Sequence, residues 1–241
     1  MKSWLPLALV ALAAAAMLVH GPIAQLERYH EFADTRALGG IPNAGDVLSN
    51  IPFALAGLWG LLALRHRGPR GYSIFFVALV LTALGSGYYH LAPDNARLVW
   101  DRLPIALACA GLLAAVHAET RDPAQPLWVP LVLMAIAIAS VAWWSFTESR
   151  GAGDLRPYLL LQGAPLLLIP LWQHFAKAPR ATRVAFAVAI LLYAAAKAAE
   201  TGDHAIFDAL GWVSGHTLKH VLAAAAGAVI AAHVVRTYRE R

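Results

Sequence analysis

Residues 73–91, SIFFVALVLTALGSGYYHL, and residues 99–117, VWDRLPIALACAGLLAAVH, are two apolar runs separated only by APDNARL at 92–98. A bilayer core takes about 20 mostly apolar residues in a helix, so each run is long enough to cross one. A connection this short leaves the two helices adjacent and antiparallel. The same runs carry polar groups that a lipid-facing helix would avoid: Ser86 and His90 near the end of the first, and Asp101 near the start of the second. Strongly polar groups within spans are costly and mark a functional interior.

Outward from this pair, further apolar segments lie at 4–20, 47–64, 127–145, 157–175, 183–200 and 214–235. Eight spans are therefore expected, in an all-α integral membrane protein. Composition agrees. Of 241 residues, 59% are hydrophobic and 14% charged, and the mean hydropathy is +0.58. A soluble domain carries about 25% charge. The length suits one bundle rather than several domains. The first segment, WLPLALVALAAAAMLVH, has the basic start and short apolar core of a signal peptide. No clean small-x-small cleavage site follows the apolar core before His20-Gly21-Pro22, so a retained N-terminal helix over residues 1–24 is expected, followed by a membrane domain over 25–236 and a tail at 237–241. The single cysteine, Cys109, excludes a disulfide framework and a cysteine metal cluster. The net charge is +5, but the basic residues fall in short loops rather than on one face, which excludes nucleic acid as a partner.

Lys and Arg in the loops set the expected orientation. One side holds eleven, at Lys2, Arg65, Arg67, Arg70, Arg121, Lys177, Arg180, Arg183, Arg236, Arg239 and Arg241. The other holds six, at Arg28, Arg36, Arg97, Arg102, Arg150 and Arg156. Both termini are expected to be cytoplasmic. Asp34, Asn43, Asp46, Asp94, Asp101, Glu200, Asp203, His204 and Asp208 then gather in or beside the non-cytoplasmic loops. His90 ends its span there, and His216 and His220 begin the last span there. Topology alone brings these sequence-distant groups to one membrane depth.

In SGHTLKH, His216 and His220 are four residues apart, which puts both imidazoles on one helical face. Such a pair binds a metal ion through neutral imidazoles, although interhelical hydrogen bonds would satisfy two histidines equally well. Ser86 and His90 repeat the spacing. Asp101 alone would serve as a helix cap, and Ser86, between Gly85 and Gly87, as a small packing residue. Three histidines, a serine and an aspartate on one face suggest more. Three histidines leave a fourth position open on zinc, and zinc activates water and polarises a carbonyl. Asp101 is then the candidate to handle the proton, and Ser86 to donate to the developing oxyanion.

GSGYYH at 85–90, DRLP at 101–104 and GHTLKH at 215–220 together resemble the three motifs of the alkaline ceramidases. These belong to the CREST superfamily, with adiponectin-receptor-type proteins and lipid-remodelling hydrolases. NAGDVLSNIPF at 43–53 is similar to the stretch leading into that family's first core helix. The resemblance runs from about Asp34 to His220. It implies a seven-helix bundle, with 4–20 as an additional N-terminal helix. It also implies zinc on His90, His216 and His220, Asp101 assisting the attacking water, and Ser86 stabilising the transition state. The implied partner is a membrane lipid, and the implied reaction is cleavage of the ceramide amide bond to a fatty acid and an amine.

One stretch departs from the family. Its acidic cluster before the first core helix, associated with calcium, corresponds here to YHEFADTRALGGIPNAGDVLSN, which is poorer in carboxylates. Asp34, Asn43 and Asp46 are the candidate calcium ligands left, against the six to eight that calcium takes. Other residues have plain readings. Lys197 is spaced to pair with Glu200 within a helix and to snorkel. His204 and Asp208 lie near the expected mouth. Trp143, Trp144 and Tyr158 are expected in an interfacial aromatic belt. His20, His66, His117, His174 and His233 are expected to do no chemistry. The motifs leave two other functions open: an ester hydrolase on the same scaffold, and a receptor or sensor with structural zinc.

Overall fold

The computed structural model describes residues 4–65 and 67–239. Lys2, His66 and Arg241, named above, lie outside them. Within these residues the chain is helical, and the one β-type pairing is an isolated bridge between Leu38 and Ile41. In lipid, helices satisfy every backbone N–H and C=O internally, which is why long apolar runs adopt them. The helices are α1 Leu5–His20, α2 Ala44–Leu48, α3 Ile51–Leu64, α4 Arg70–Leu91, α5 Asn95–Thr120, α6 Trp128–Glu148, α7 Arg156–Phe175, α8 Arg180–Thr201, α9 Asp203–Leu210 and α10 Gly215–Arg239.

Six candidate spans are long and apolar enough to cross a membrane: Ala44–Leu64 (α2 with α3), α4, α5, α6, α8 and α10. Two of the eight expected spans fall outside this set. The 4–20 run forms α1, with only 16 residues. The 157–175 run forms α7, which carries Arg156, Gln162, Gln173 and His174 among its apolar residues. Exposed Leu62, Leu84 and Leu191 stand on the outside of the bundle. A large apolar exterior of this kind is what lipid contact requires. The chain is a multi-pass membrane protein.

Six elements close into a ring: α3 packs on α4, α4 on α5, α5 on α7, α7 on α8, α8 on α10, and α10 back on α3. α6 lies outside against α5 and α7, and α1 outside against α7. The closest approach is between α4 and α5. A Cβ on Gly85 would overlap the carbonyl oxygen of Trp100. Pro104, four residues after Trp100, has no N–H to offer that carbonyl, and the missing bond is where Gly85 fits. Gly71 and Gly111 meet across the same interface, where a Cβ on either would strike backbone of the other helix. Gly87 faces open space and takes no part in this packing.

Candidate metal centre

The end of the bundle formed by the C-terminus of α4 and the N-termini of α5 and α10 holds the polar cluster. Asp94 caps α5, its side chain accepting from Arg97 N at 2.7 Å. Asp101 therefore lies well inside the helix and is no cap. Asp203 does the same for α10, accepting the His216 backbone N–H at 2.7 Å, while its other oxygen accepts Ala33 N–H at 2.9 Å. One carboxylate thus ties the 21–43 segment to the helix that bears two of the histidines.

His90 of α4 and His216 and His220 of α10 come together as expected. They are 1%, 5% and 3% exposed, and one ligand nitrogen from each lies within 4.8 Å of the others. The Nε2 atoms of His90 and His216 face each other at 3.3 Å. The site sits under Phe32, whose ring centroid is 4.8 Å from that of His90 and 4.4 Å from that of His216. The Asn43 amide donates to the His90 backbone carbonyl at 2.8 Å.

The orientation of His220 depends on a break in the first span. Between α2 and α3, Ser49 and Asn50 interrupt the helix and leave the Asp46 carbonyl to be satisfied by side chains. Ser49 Oγ donates to it at 3.1 Å and Asn50 Nδ2 at 2.7 Å. Ser49 Oγ is also 2.8 Å from His220 Nδ1. With the Ser49 hydrogen on the carbonyl, an Nδ1–H of His220 would donate to Ser49 Oγ and turn the Nε2 lone pair to the cluster, the tautomer that a metal ligand needs. Histidine ligands are fixed in this way by a partner on the other ring nitrogen. His90 Nδ1 has no hydrogen-bond partner. An all-imidazole donor set of three with an open position fits a divalent transition metal such as zinc. The three histidines form the one group of three or more His, Cys, Asp or Glu side chains within metal reach among the described residues.

Ser86 and Asp101, 1% and 6% exposed, also meet in the interior. Ser86 Oγ faces the Asp101 carboxylate, but it forms no hydrogen bond of full geometry and is buried without a partner. Both line a cavity of about 270 Å³ together with His220. Its walls below are apolar, with Phe75, Leu79, Ile169, Phe186 and Ile230.

The three residues considered for calcium all make contacts within the protein, and Asp46 Oδ2 is left without a hydrogen-bond partner. Arg36 grips Asp34 with Nε on Oδ1 and Nη2 on Oδ2, both at 2.8 Å. These bonds hold the Asp34 carboxyl below its ordinary value. Asp46, fully buried, accepts Thr217 Oγ1 at 2.6 Å. Asn43 holds the His90 carbonyl.

Several residues near the site carried no signal in the sequence. Lys219 Nζ reaches Glu200 Oε1 at 2.7 Å and stands 3.2 Å from His216 Nε2. Glu200 also pairs with Lys197, as its spacing suggested. Ser49 looked like part of a helix start. Arg102, counted above among loop cations, is inside α5 and 3% exposed. Trp144 and Tyr158, expected in the interfacial belt, are 1% and 6% exposed beneath it; only Trp143 keeps an exposed face. No family model and no curated protein matches the chain.

Proposed function

We propose that the protein is a zinc-dependent intramembrane hydrolase that cleaves the amide bond of a lipid, ceramide or a related N-acyl lipid, to a fatty acid and an amine. The observation behind this reading is the buried His90–His216–His220 cluster, whose His220 lines the same largely apolar cavity as Ser86 and Asp101. His90, His216 and His220 would hold the zinc. When bound, it would supply Lewis acidity toward the carbonyl and lower the pKa of water. Asp101 takes a proton from the attacking water and returns it to the leaving nitrogen. Ser86, whose hydroxyl has no partner in the resting site, donates to the carbonyl oxygen as charge develops there. The apolar walls hold the acyl chain and exclude bulk water. On this reading the motif resemblance to alkaline ceramidases reflects kinship.

The same reading carries a topology. We take α7 as the seventh span of the core bundle and α1 as the additional N-terminal helix. Both termini are then cytoplasmic and the metal centre lies toward the non-cytoplasmic face, as the loop cations indicate.

The test is mass spectrometry of products released from ceramides, N-acyl amino lipids and phospholipids by purified protein supplied with zinc. Wild type should release fatty acid from an amide. His220→Ala should lose both zinc and activity, and Asp101→Asn should keep zinc while turnover falls by about 10²-fold or more. Full activity in His220→Ala would refute the metal assignment. Release from esters alone would make the protein an ester hydrolase.

A further inference from the structure

The cavity beside the metal centre contains a cation that has no ion-pair partner among the described residues. Arg102 follows Asp101 in α5 and lines the same cavity. Its guanidinium lies 4.0 Å from the centroid of the Trp144 ring, 5.1 Å from Tyr29 and 5.5 Å from Tyr158. Among the described residues no carboxylate forms an ion pair with it. Asp101, its chain neighbour, attracts it through space but forms no ion pair with it. Arg102 Nη1 is buried with no hydrogen-bond partner.

Ring faces attract a cation, but they accept no N–H hydrogen bond of ordinary strength and carry no compensating charge. A buried cation without an anion is costly, more so inside a membrane. The aromatic cage therefore orients the guanidinium without completing it. What completes it is an oxyanion, since the planar fork of donors matches a carboxylate or phosphate.

Position narrows the choice. Consecutive helical residues differ by about 1.5 Å in height and about 100° around the axis. Asp101 and Arg102 line one cavity, so an anion on the guanidinium shares that cavity with the carbonyl under attack and is best supplied by the same small end of the substrate. An N-acyl amino acid carries its carboxylate on the carbon attached to the amide nitrogen, which meets that requirement. A lipid phosphate is farther from its acyl carbonyl.

We propose that Arg102 receives the carboxylate of an N-acyl amino acid whose acyl chain occupies the apolar cavity, so that the preferred substrates are anionic lipid amides. This rests on the amidohydrolase reading and narrows it. The reaction is balanced by water alone. Its oxygen bonds to the acyl carbon, the C–N bond breaks, and a water proton ends on the amino acid nitrogen.

The test compares N-dodecanoylglycine with uncharged N-dodecanoylglycinamide on purified, metal-stripped protein in nonionic detergent. Binding is read from tryptophan fluorescence, and hydrolysis is read separately after zinc is restored. Wild type should bind the carboxylate about 10- to 100-fold more tightly, in line with a charge-assisted hydrogen bond. Arg102→Gln should lose that preference, and Arg102→Lys should keep part of it. Equal binding of the two ligands by wild type, a comparison that needs no variant to fold, would overturn the proposal. So would a preference that survives in Arg102→Gln. Competition by N-acetylglycine at the same concentration would overturn the lipid part, because the site would then take a free small anion. Selective binding with no fatty acid released would uphold the anion subsite and refute the amidohydrolase reading. Equal hydrolysis of both ligands would do the reverse.

Discussion

Ser49 Oγ stands 2.8 Å from His220 Nδ1 while donating its own hydrogen to the Asp46 carbonyl. The break between α2 and α3 thus holds one ring nitrogen of a histidine on α10. Ser49→Ala removes the acceptor and leaves the ring free to turn, without emptying the ligand set. Loss of such a partner typically costs about 10- to 100-fold in metal affinity. Competition with a chromogenic chelator should show that loss, with the helical circular dichroism unchanged. An affinity equal to wild type would mean that Ser49 does not orient the ligand.

Lys219 acts in the opposite direction. Its ammonium stands 3.2 Å from His216 Nε2, close to where a dication would sit, and like charges at that range repel. Lys219→Met should therefore tighten metal binding by about tenfold, or ~1.4 kcal/mol, with Lys197 still paired to Glu200. A weaker affinity in the variant would show that Lys219 supports the ligands.

Gly85 permits the α4–α5 contact that brings Ser86 and Asp101 together. Gly85→Ala places a methyl group on the Trp100 carbonyl. Overpacking of this kind costs about 1–3 kcal/mol. It should lower the thermal midpoint in detergent and reduce turnover, whereas Gly87→Ala, in open space, should do neither. Equal midpoints for the two variants would refute the close approach.

The turn before α7 gives a pH dependence. Asp154 accepts hydrogen bonds from Arg156 Nε and Nη2 at 2.9 and 2.8 Å, and from Trp143 Nε1 at 3.0 Å. These hold its carboxyl well below the usual range. A depressed folded-state pKa contributes stability that is complete above the unfolded value, about 3.9, and is lost as pH falls through the lower folded one. Asp34, also depressed, adds in the same sense. Thermal stability should therefore be flat near neutrality and fall below about pH 4, with Asp154→Asn less stable at neutral pH and less sensitive to acid. A variant that keeps the full acid-induced loss would place its origin elsewhere.

The histidine cluster and the all-helical class were readable in the sequence because both follow from local spacing. Four-residue steps place Ser86 with His90 and His216 with His220, and a seven-residue connection places Asp101 beside them. Arg102, Trp144 and Tyr158 could not be read in this way. Charge beside a loop and rings near a span end have the same appearance whether they face water or each other. Ser49 was hidden because a two-residue break leaves no mark in an apolar run. α7 read as an ordinary span because its polar residues, Gln162, Gln173 and His174, are scattered through an apolar run.

The histidine cluster joins α4 to α10, the last of the described helices. During synthesis His90 enters the bilayer long before His216 and His220 exist. A nascent chain released early carries one imidazole where three are needed, so it has no means of competing for metal. On the proposed metal reading, acquisition of the ion would mark the arrival of α10, and a cell that scavenges unmetallated chains would in effect be removing those whose assembly stopped before it.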